Sequence, residues 1–153
     1  MTHLQVGGKA PDFKATNCMA EPVQLSDYKG KKLILYFYPK AMTPGCTAET
    51  VDLATHYEML KEKGFDVLGV SPDDIKKQRR FKEKKNVPFS LIPDDERKII
   101  NSYGVWGPKK LYGREYDGLH RTTFVIDEKG TIEHIIKKVK TKAHAEQILS
   151  LYE

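Results

Sequence analysis

A chain of 153 residues with 39% hydrophobic and 31% charged side chains is long enough to bury about 70% of its unfolded surface, so one domain over residues 1–153 is expected. Its formal charge of +5 arises from 26 Lys and Arg against 21 acids, but the paired lysines at 31–32, 84–85, 109–110 and 137–138 are scattered, which argues against a nucleic-acid binder. No apolar leader marks residues 1–13 and no stretch approaches the roughly 20 apolar residues that cross a bilayer, so no membrane association is expected and cytoplasmic residence is the default.

Residues 11–25 read as a β-hairpin turning near Met19 to Pro22, and residues 26–30 as one helical turn closed by Gly30. The run Lys32-Leu-Ile-Leu-Tyr-Phe-Tyr38 is apolar without alternation, as in a strand covered on both faces of a parallel sheet. A helix is predicted over residues 44–63, closed by Gly64, with Val51, Ala54, Tyr57 and Leu60 on its buried face. A second buried strand over 65–70 completes a right-handed βαβ unit.

Ser71-Pro-Asp-Asp74 then opens a polar helix to about Lys84, whose charge reads as a solvated face. Residues 89–93 form a short strand and 94–103 a short helix ending near Gly104. Residues 105–120, which include Trp106, read as a long loop, and a loop of that length in a small domain is often functional. Strands at 121–126 and 131–136 flank the hairpin signal Asp127-Glu-Lys-Gly130, and a last helix covers 142–152. The order of strand, helix, strand, hairpin and terminal helix gives an α/β class. It resembles a thioredoxin-like fold, with a central mixed sheet flanked by helices and an N-terminal β-hairpin.

Two cysteines make no disulfide framework, and in a reducing compartment an unpaired thiol is either inert or catalytic. Cys46 stands where the first buried strand passes into the first long helix. Thr43 suits the N-cap, Pro44 the first helical position, and Cys46 falls at the third. A capping box places Glu there, because unpaired N–H groups and the positive end of the helix dipole stabilise an anion; here a thiolate takes that place.

Residues at fixed offsets narrow the chemistry. Glu49 stands where a Cys-x-x-Cys oxidoreductase needs its second cysteine, and Asp52 where a tyrosine-phosphatase loop needs arginine. A cysteine hydrolase needs a histidine base; His56 lies about three turns along the helix, on the order of 15 Å away, which leaves His120. A preformed thiolate attacking a weak O–O bond needs no histidine, only donors that stabilise the departing oxygen, and yields a sulfenic acid.

Pro39-Lys-Ala-Met-Thr43-Pro44-Gly-Cys46 matches the peroxiredoxin signature Pro-x-x-x-Thr-Pro-x-Cys. With Tyr36-Phe-Tyr-Pro-Lys40, Asp66 to Pro72, Tyr103-Gly-Val-Trp-Gly107 and Tyr116 to Asp127, nearly the whole chain resembles the bacterioferritin comigratory protein, or Q, subfamily. The resemblance implies a thiol peroxidase acting on hydrogen peroxide or alkyl hydroperoxides, with no cofactor and no metal. It implies that Cys46 is the peroxidatic nucleophile, that Thr43 hydrogen-bonds the peroxide, that Pro39 shields the pocket and that Arg121 stabilises thiolate and substrate. Glu49, one turn beyond Cys46, reads either as the residue that orients Arg121 by a charge-assisted hydrogen bond or as a plain solvent-facing glutamate, and Trp106 is expected to pack near the site.

Many members of the subfamily carry a resolving cysteine five residues after the peroxidatic one, where Val51 stands, and others carry it in the next helix, where residues 73–85 hold none. Cys18, in the N-terminal hairpin, matches neither position. A one-cysteine cycle is therefore expected, with thioredoxin, glutaredoxin or glutathione as external reductant and a monomeric chain. The competing readings are a non-enzymatic thioredoxin-like module that binds a partner, and a hydrolase using His120.

Overall fold

The computed structural model describes residues 2–153. Strands β1 (Lys14–Thr16) and β2 (Pro22–Gln24) form the expected N-terminal hairpin. Its turn is built by Asn17, whose side-chain oxygen accepts from the N–H groups of Met19 and Glu21. A 3-10 turn at Leu25–Tyr28 leads into β3 (Lys32–Phe37), in which every residue after Lys32 is buried.

Helix α1 (Pro44–Thr55) and helix α2 (Tyr57–Glu62) replace the single helix predicted over 44–63. The break falls at His56. There Thr55 Oγ1 donates to the Val51 carbonyl, and the His56 ring and N–H both engage the Asp52 carbonyl, so side chains compete for the helical ladder. Strand β4 (Phe65–Ser71) runs into helix α3 (Ile75–Lys85), which starts later than predicted because Asp74 is the residue that caps it, accepting from the Lys77 N–H. After β5 (Ser90–Pro93), Asp94 spends its carboxylate on the N–H groups of Lys98 and Ile100, so helix α4 (Lys98–Ser102) is shorter than the predicted 94–103.

The segment predicted as a long loop is a regular antiparallel ribbon of β6 (Trp106–Leu111) and β7 (Arg114–Leu119). Its two-residue turn places both Tyr112 (φ 51°) and Gly113 (φ 76°) in the left-handed region, as a type I′ turn requires. Tyr in a place that Asn or Asp ordinarily takes concealed that turn, and Pro108 in β6 is a residue that strand interiors ordinarily exclude. Strands β8 (Thr122–Ile126) and β9 (Ile132–Ile136) form the predicted hairpin. Helix α5 (His144–Leu149) ends in a 3-10 turn at Ser150–Tyr152 and is thus α-helical over a shorter span than predicted.

The main sheet has the strand order β5-β4-β3-β8-β9, with β3, β4 and β5 mutually parallel and β8 and β9 antiparallel to their neighbours. Alternation along β3 splits the core between the two faces. Ile34 and Tyr36 point into one apolar cluster with Leu53, Leu60, Phe81 and Ile148 from the helices; Leu33, Leu35 and Phe37 point into the other with Ile99, Ile100 and Tyr103. The unbroken apolar run of β3 follows from this double coverage. Among the described residues no helix is long and apolar enough to cross a membrane.

Candidate active site

The register of the central strands creates the site. Phe37 at the end of β3 pairs with Thr122 at the start of antiparallel β8, so Arg121 emerges beside the point where the chain leaves β3 for α1. That register brings together residues 75 apart in sequence: Arg121 Nη2 donates to Cys46 Sγ at 3.3 Å. Cys46 is fully buried at the third position of α1, with Pro44 at the first, as predicted.

The other arm of the guanidinium, Nη1, donates to Glu49 Oε1 at 2.7 Å, so the orienting role expected of Glu49 has its geometry. The Glu49 side chain is wholly buried, whereas that of Arg121 is 23% exposed, which leaves the cation open to solvent on one side. Burial pushes the Glu49 carboxyl up to about 7, partly opposed by Arg121. Burial works against the Arg121 charge but is outweighed by Glu49 and Cys46, so its proton is held more tightly than usual. Gly45 makes the approach possible: a Cβ at this position would meet Arg121 Nη2 at 3.2 Å.

Thr43 occupies the N-cap position with extended backbone, but its hydroxyl does not cap the helix. It donates instead to the Lys40 carbonyl at 2.7 Å. The oxygen keeps its acceptor capacity. Pro39, half-buried, opens the connecting loop. That loop is pinned from below: Asp73 Oδ2 accepts from the Ala41 N–H and from Ser71 Oγ, both at 2.7 Å. Gln78 donates to Ser71 Oγ at 2.6 Å and accepts from the Tyr38 hydroxyl. Met42 adopts φ 70° within this loop, a left-handed conformation that a non-glycine residue holds only when its surroundings enforce it.

His144 was not singled out in the sequence. It is fully buried at the start of α5, with Nε2 3.5 Å from Glu49 Oε2 and 2.8 Å from Thr123 Oγ1. The spacing of His144 with Ala145 and Ile148, which share the buried face of α5, was the available signal. Helix α5 is docked there by Asp52, whose Oδ2 accepts from the Ala145 N–H at 2.8 Å.

The remaining candidates lie elsewhere. The His120 ring is engaged with the Pro108 carbonyl at 3.0 Å, a poor posture for the base of a hydrolase. Trp106 stacks beneath Arg97, 4.3 Å from ring to guanidinium, and packs on the core face away from that holding Cys46. Cys18 is a buried free thiol beside β5, its N–H donating to Leu91 and its carbonyl accepting from Arg79. Burial raises its thiol, with Lys82 and Arg79 opposing, so it is a weaker nucleophile than an ordinary cysteine at neutral pH.

A cysteine at a helix start, forked to an arginine that a buried glutamate holds, on a mixed sheet of this order, defines a thiol-based redox enzyme of thioredoxin-like fold. Residues 6–135 match the model of the AhpC/TSA family, and the chain belongs to that family as a peroxiredoxin. Peroxiredoxin Bcp of Bacillus subtilis is 47% identical over 146 residues, 95% of this chain and 93% of that protein. The solved structure of Xylella fastidiosa PrxQ superposes with a TM-score of 0.92 at 28% identity, covering 99% of this chain and 97% of the other. The Xanthomonas campestris bacterioferritin comigratory protein, described for its alkyl peroxide reduction, superposes at 0.87 with 28% identity over 99% and 96%. The enzyme reading thus prevails over that of a partner-binding module.

Proposed function

We propose that this chain reduces hydrogen peroxide and alkyl hydroperoxides in a one-cysteine cycle centred on Cys46. The observation that carries this reading is the fork of Arg121, one arm on Cys46 Sγ and the other on Glu49. In the first half-reaction the Cys46 thiolate attacks the terminal peroxide oxygen. An S–O bond forms, the O–O bond breaks, and the alkoxide or hydroxide that leaves takes up a proton. Arg121 stabilises the negative charge as it moves from sulfur to the departing oxygen. Thr43, already donating to Lys40, accepts from the peroxide O–H and so selects a protonated hydroperoxide. Pro39, at the mouth of the loop, limits water at the nascent sulfenic acid.

The second half-reaction consumes two external thiol equivalents. The first displaces hydroxide from the sulfenic acid to give a mixed disulfide and water; the second releases Cys46 as a thiol and leaves the reductant as a disulfide. Thioredoxin, glutaredoxin and glutathione are the reductant classes, acting in the cytoplasm on a monomeric chain. Val51 lies on a partly exposed face of α1 where many relatives place a resolving cysteine, and the raised proton affinity of Cys18 disfavours it as a substitute. Stopped-flow oxidation with one equivalent of peroxide, followed by non-reducing intact-mass analysis, tests the cycle. Cys46 is expected to gain one oxygen in a monomer without a disulfide, and Cys46→Ser to abolish peroxide consumption. A Cys18–Cys46 disulfide would overturn the one-cysteine cycle, and full turnover by Cys46→Ser would overturn the peroxidase site.

A further inference from the structure

The paired lysines are scattered, but the net charge is not. Helix α3 holds seven Lys and Arg against a single acid, Glu83. Outside it nineteen cations face twenty acids, so the formal charge of +5 comes wholly from α3. Lys76, Lys77, Arg79, Arg80, Lys84 and Lys85 are exposed, and among the described residues none of the seven forms an ion pair. Helix stability accounts for part of this. Lys82, Lys84 and Lys85 stand in the last turn, where the negative end of the dipole favours cations, and Lys82 also donates to the carbonyls of Val87 and Phe89. Lys76 and Lys77 stand in the first turn, where the dipole opposes them. Lys76 is spaced three and four residues from Arg79 and Arg80, and Lys77 three from Arg80, so like charges stack on one face and repel. A merely solvated face gains nothing from that arrangement.

The place of α3 relates its charge to the site. Strands β3 and β4 are parallel with Phe37 opposite Val70, so α1 and α3 leave from the same edge of the sheet, and Phe81 joins Leu53 in one cluster on the same face. Asp73, just before α3, accepts from the Ala41 N–H, and Gln78 within it accepts from the Tyr38 hydroxyl. The start of α3 therefore adjoins the loop that leads to Cys46, and Lys40, exposed in that loop, extends the positive surface. Arg79 is held in place in advance, its Nε donating to the Cys18 carbonyl at 2.9 Å while the residue stays exposed. Ile75, 39% exposed, adds an apolar contact in the shallow depression that Lys76, Arg79, Arg80 and Glu83 line with it.

We propose that the face of α3 formed by Ile75, Lys76, Arg79 and Arg80 is the docking surface for an acidic protein dithiol that reduces oxidised Cys46. The choice of occupant rests on the peroxidase reading. With Val51 where a resolving cysteine would stand, both thiols of the second half-reaction come from outside, and a docked dithiol supplies them from one molecule. Its first thiolate forms an S–S bond to Cys46 as hydroxide leaves and takes up a proton. Its second attacks the sulfur already joined to Cys46, the mixed disulfide breaks, and Cys46 leaves as thiolate. The sulfenic acid is thereby reduced by two electrons, and the partner is oxidised to an internal disulfide. Holding the second thiol on the same molecule raises its effective concentration, whereas glutathione needs two encounters. Other polyanions fit less well. An anionic membrane takes up the apolar face of a helix, but that side of α3, with Phe81, is buried in the core. Eleven residues of helix span only about 16 Å, and the rest of the chain adds no net positive charge with which to follow a nucleic-acid backbone.

The double variant Lys76→Glu, Arg80→Glu tests the docking face, with an acidic thioredoxin as the probe. An acid at position 76 suits the helix dipole, so the unfolding midpoint should not fall. The kcat/KM for the thioredoxin should drop by about tenfold or more at low salt, while Cys46 oxidation by peroxide and turnover with dithiothreitol keep their wild-type rates. Raising the salt should slow the wild type toward the variant. Lys76→Gln, Arg80→Gln, which removes the charge without reversing it, should lose less in the same direction. An equal loss with dithiothreitol, a thioredoxin rate indifferent to the substitutions, or turnover sustained by glutathione alone would overturn the proposal. Loss of binding to a DNA oligonucleotide or to phosphatidylserine vesicles, in a variant that thioredoxin still reduces at the wild-type rate, would assign the face to that partner instead. Contact is also read without turnover. Thioredoxin titrated into the 15N-labelled Cys46→Ser chain should shift the amides of residues 75–80, and the added double substitution should abolish the shifts. Such shifts, with a wild-type chain that consumes no peroxide, would refute the peroxidase reading alone; shifts confined to other elements would refute the docking face.

Discussion

Replacing Glu49 with Gln should stabilise the protein above neutral pH, although it removes one partner of an ion pair. In the folded protein the carboxyl is pushed up to about 7 from 4.5, chiefly by burial and despite Arg121. The folded state therefore binds this proton more tightly than the unfolded chain does. The corresponding stabilisation is fully present below pH 4.5 and is lost as pH rises through about 7; the interval between the two values corresponds to about 3 kcal/mol. Gln resembles the protonated carboxyl: its oxygen can accept from Arg121 Nη1 and its N–H can face His144 Nε2, and it never ionises. The variant should match the wild type near pH 4.5 and exceed it by about 3 kcal/mol above pH 8, or roughly 6–12 °C in Tm for a domain of this size. His144 acts in the opposite sense, since burial lowers its proton affinity and its contribution is lost as pH falls through the ordinary histidine range. Both proteins keep His144, so the difference between them isolates position 49. Urea unfolding of reduced wild type and variant at pH 5 and pH 8.5 measures that difference. A variant less stable than wild type at pH 8.5, or a difference that does not grow between the two pH values, would refute the reasoning, for it would mean that Arg121 fully compensates the buried charge.

Gly45→Ala should keep the fold, because the backbone there is ordinary helix, yet displace Arg121 from Cys46, because the new Cβ would stand 3.2 Å from Nη2. A fall of about tenfold in the rate of Cys46 oxidation, with an unchanged unfolding midpoint, is the expected stopped-flow result. Asp73→Ala should free the loop between β3 and α1 by removing the acceptor of the Ala41 N–H. A loss of about 1–3 kcal/mol is expected, with hydrogen exchange of the Ala41 amide accelerated relative to the centre of β3.

The legible parts of the fold were those in which local pattern and tertiary environment agree. The apolar run of β3, the Asp127–Gly130 turn and the Thr43-Pro44-x-Cys46 helix start each have a local physical cause, and each stands where expected. The ribbon of β6 and β7 was hidden because its turn places Tyr112 in a conformation for which the sequence offers only Gly113 as a sign. The break at His56 was hidden because the apolar spacing continues through it, while the side-chain bonds that interrupt the ladder have no periodic signature. In the site, the Arg121 contact with Cys46 depends on the antiparallel register of β3 with β8, which no local pattern encodes; family resemblance indicated it, and spacing alone did not. His144 escaped because its partners, Glu49, Thr123 and Gln147, come from three different elements.

The division of labour at position 121 explains why the cation there is arginine. One planar group reaches two partners at once, Nη1 on Glu49 at 2.7 Å and Nη2 on Cys46 at 3.3 Å, and the angle between the arms is fixed by the guanidinium itself. Glu49, held in α1 one turn beyond Cys46, presents its oxygen at the height that the second arm requires, so helix geometry and guanidinium geometry match. A lysine ammonium could approach either partner but would have no rigid fork with which to reach both at once. The site therefore rests on a triangle drawn from one helix and the residue that leads into one strand: Cys46 and Glu49 set its base along α1, and Arg121, just before β8, is delivered as the third corner by the register of β8 with β3.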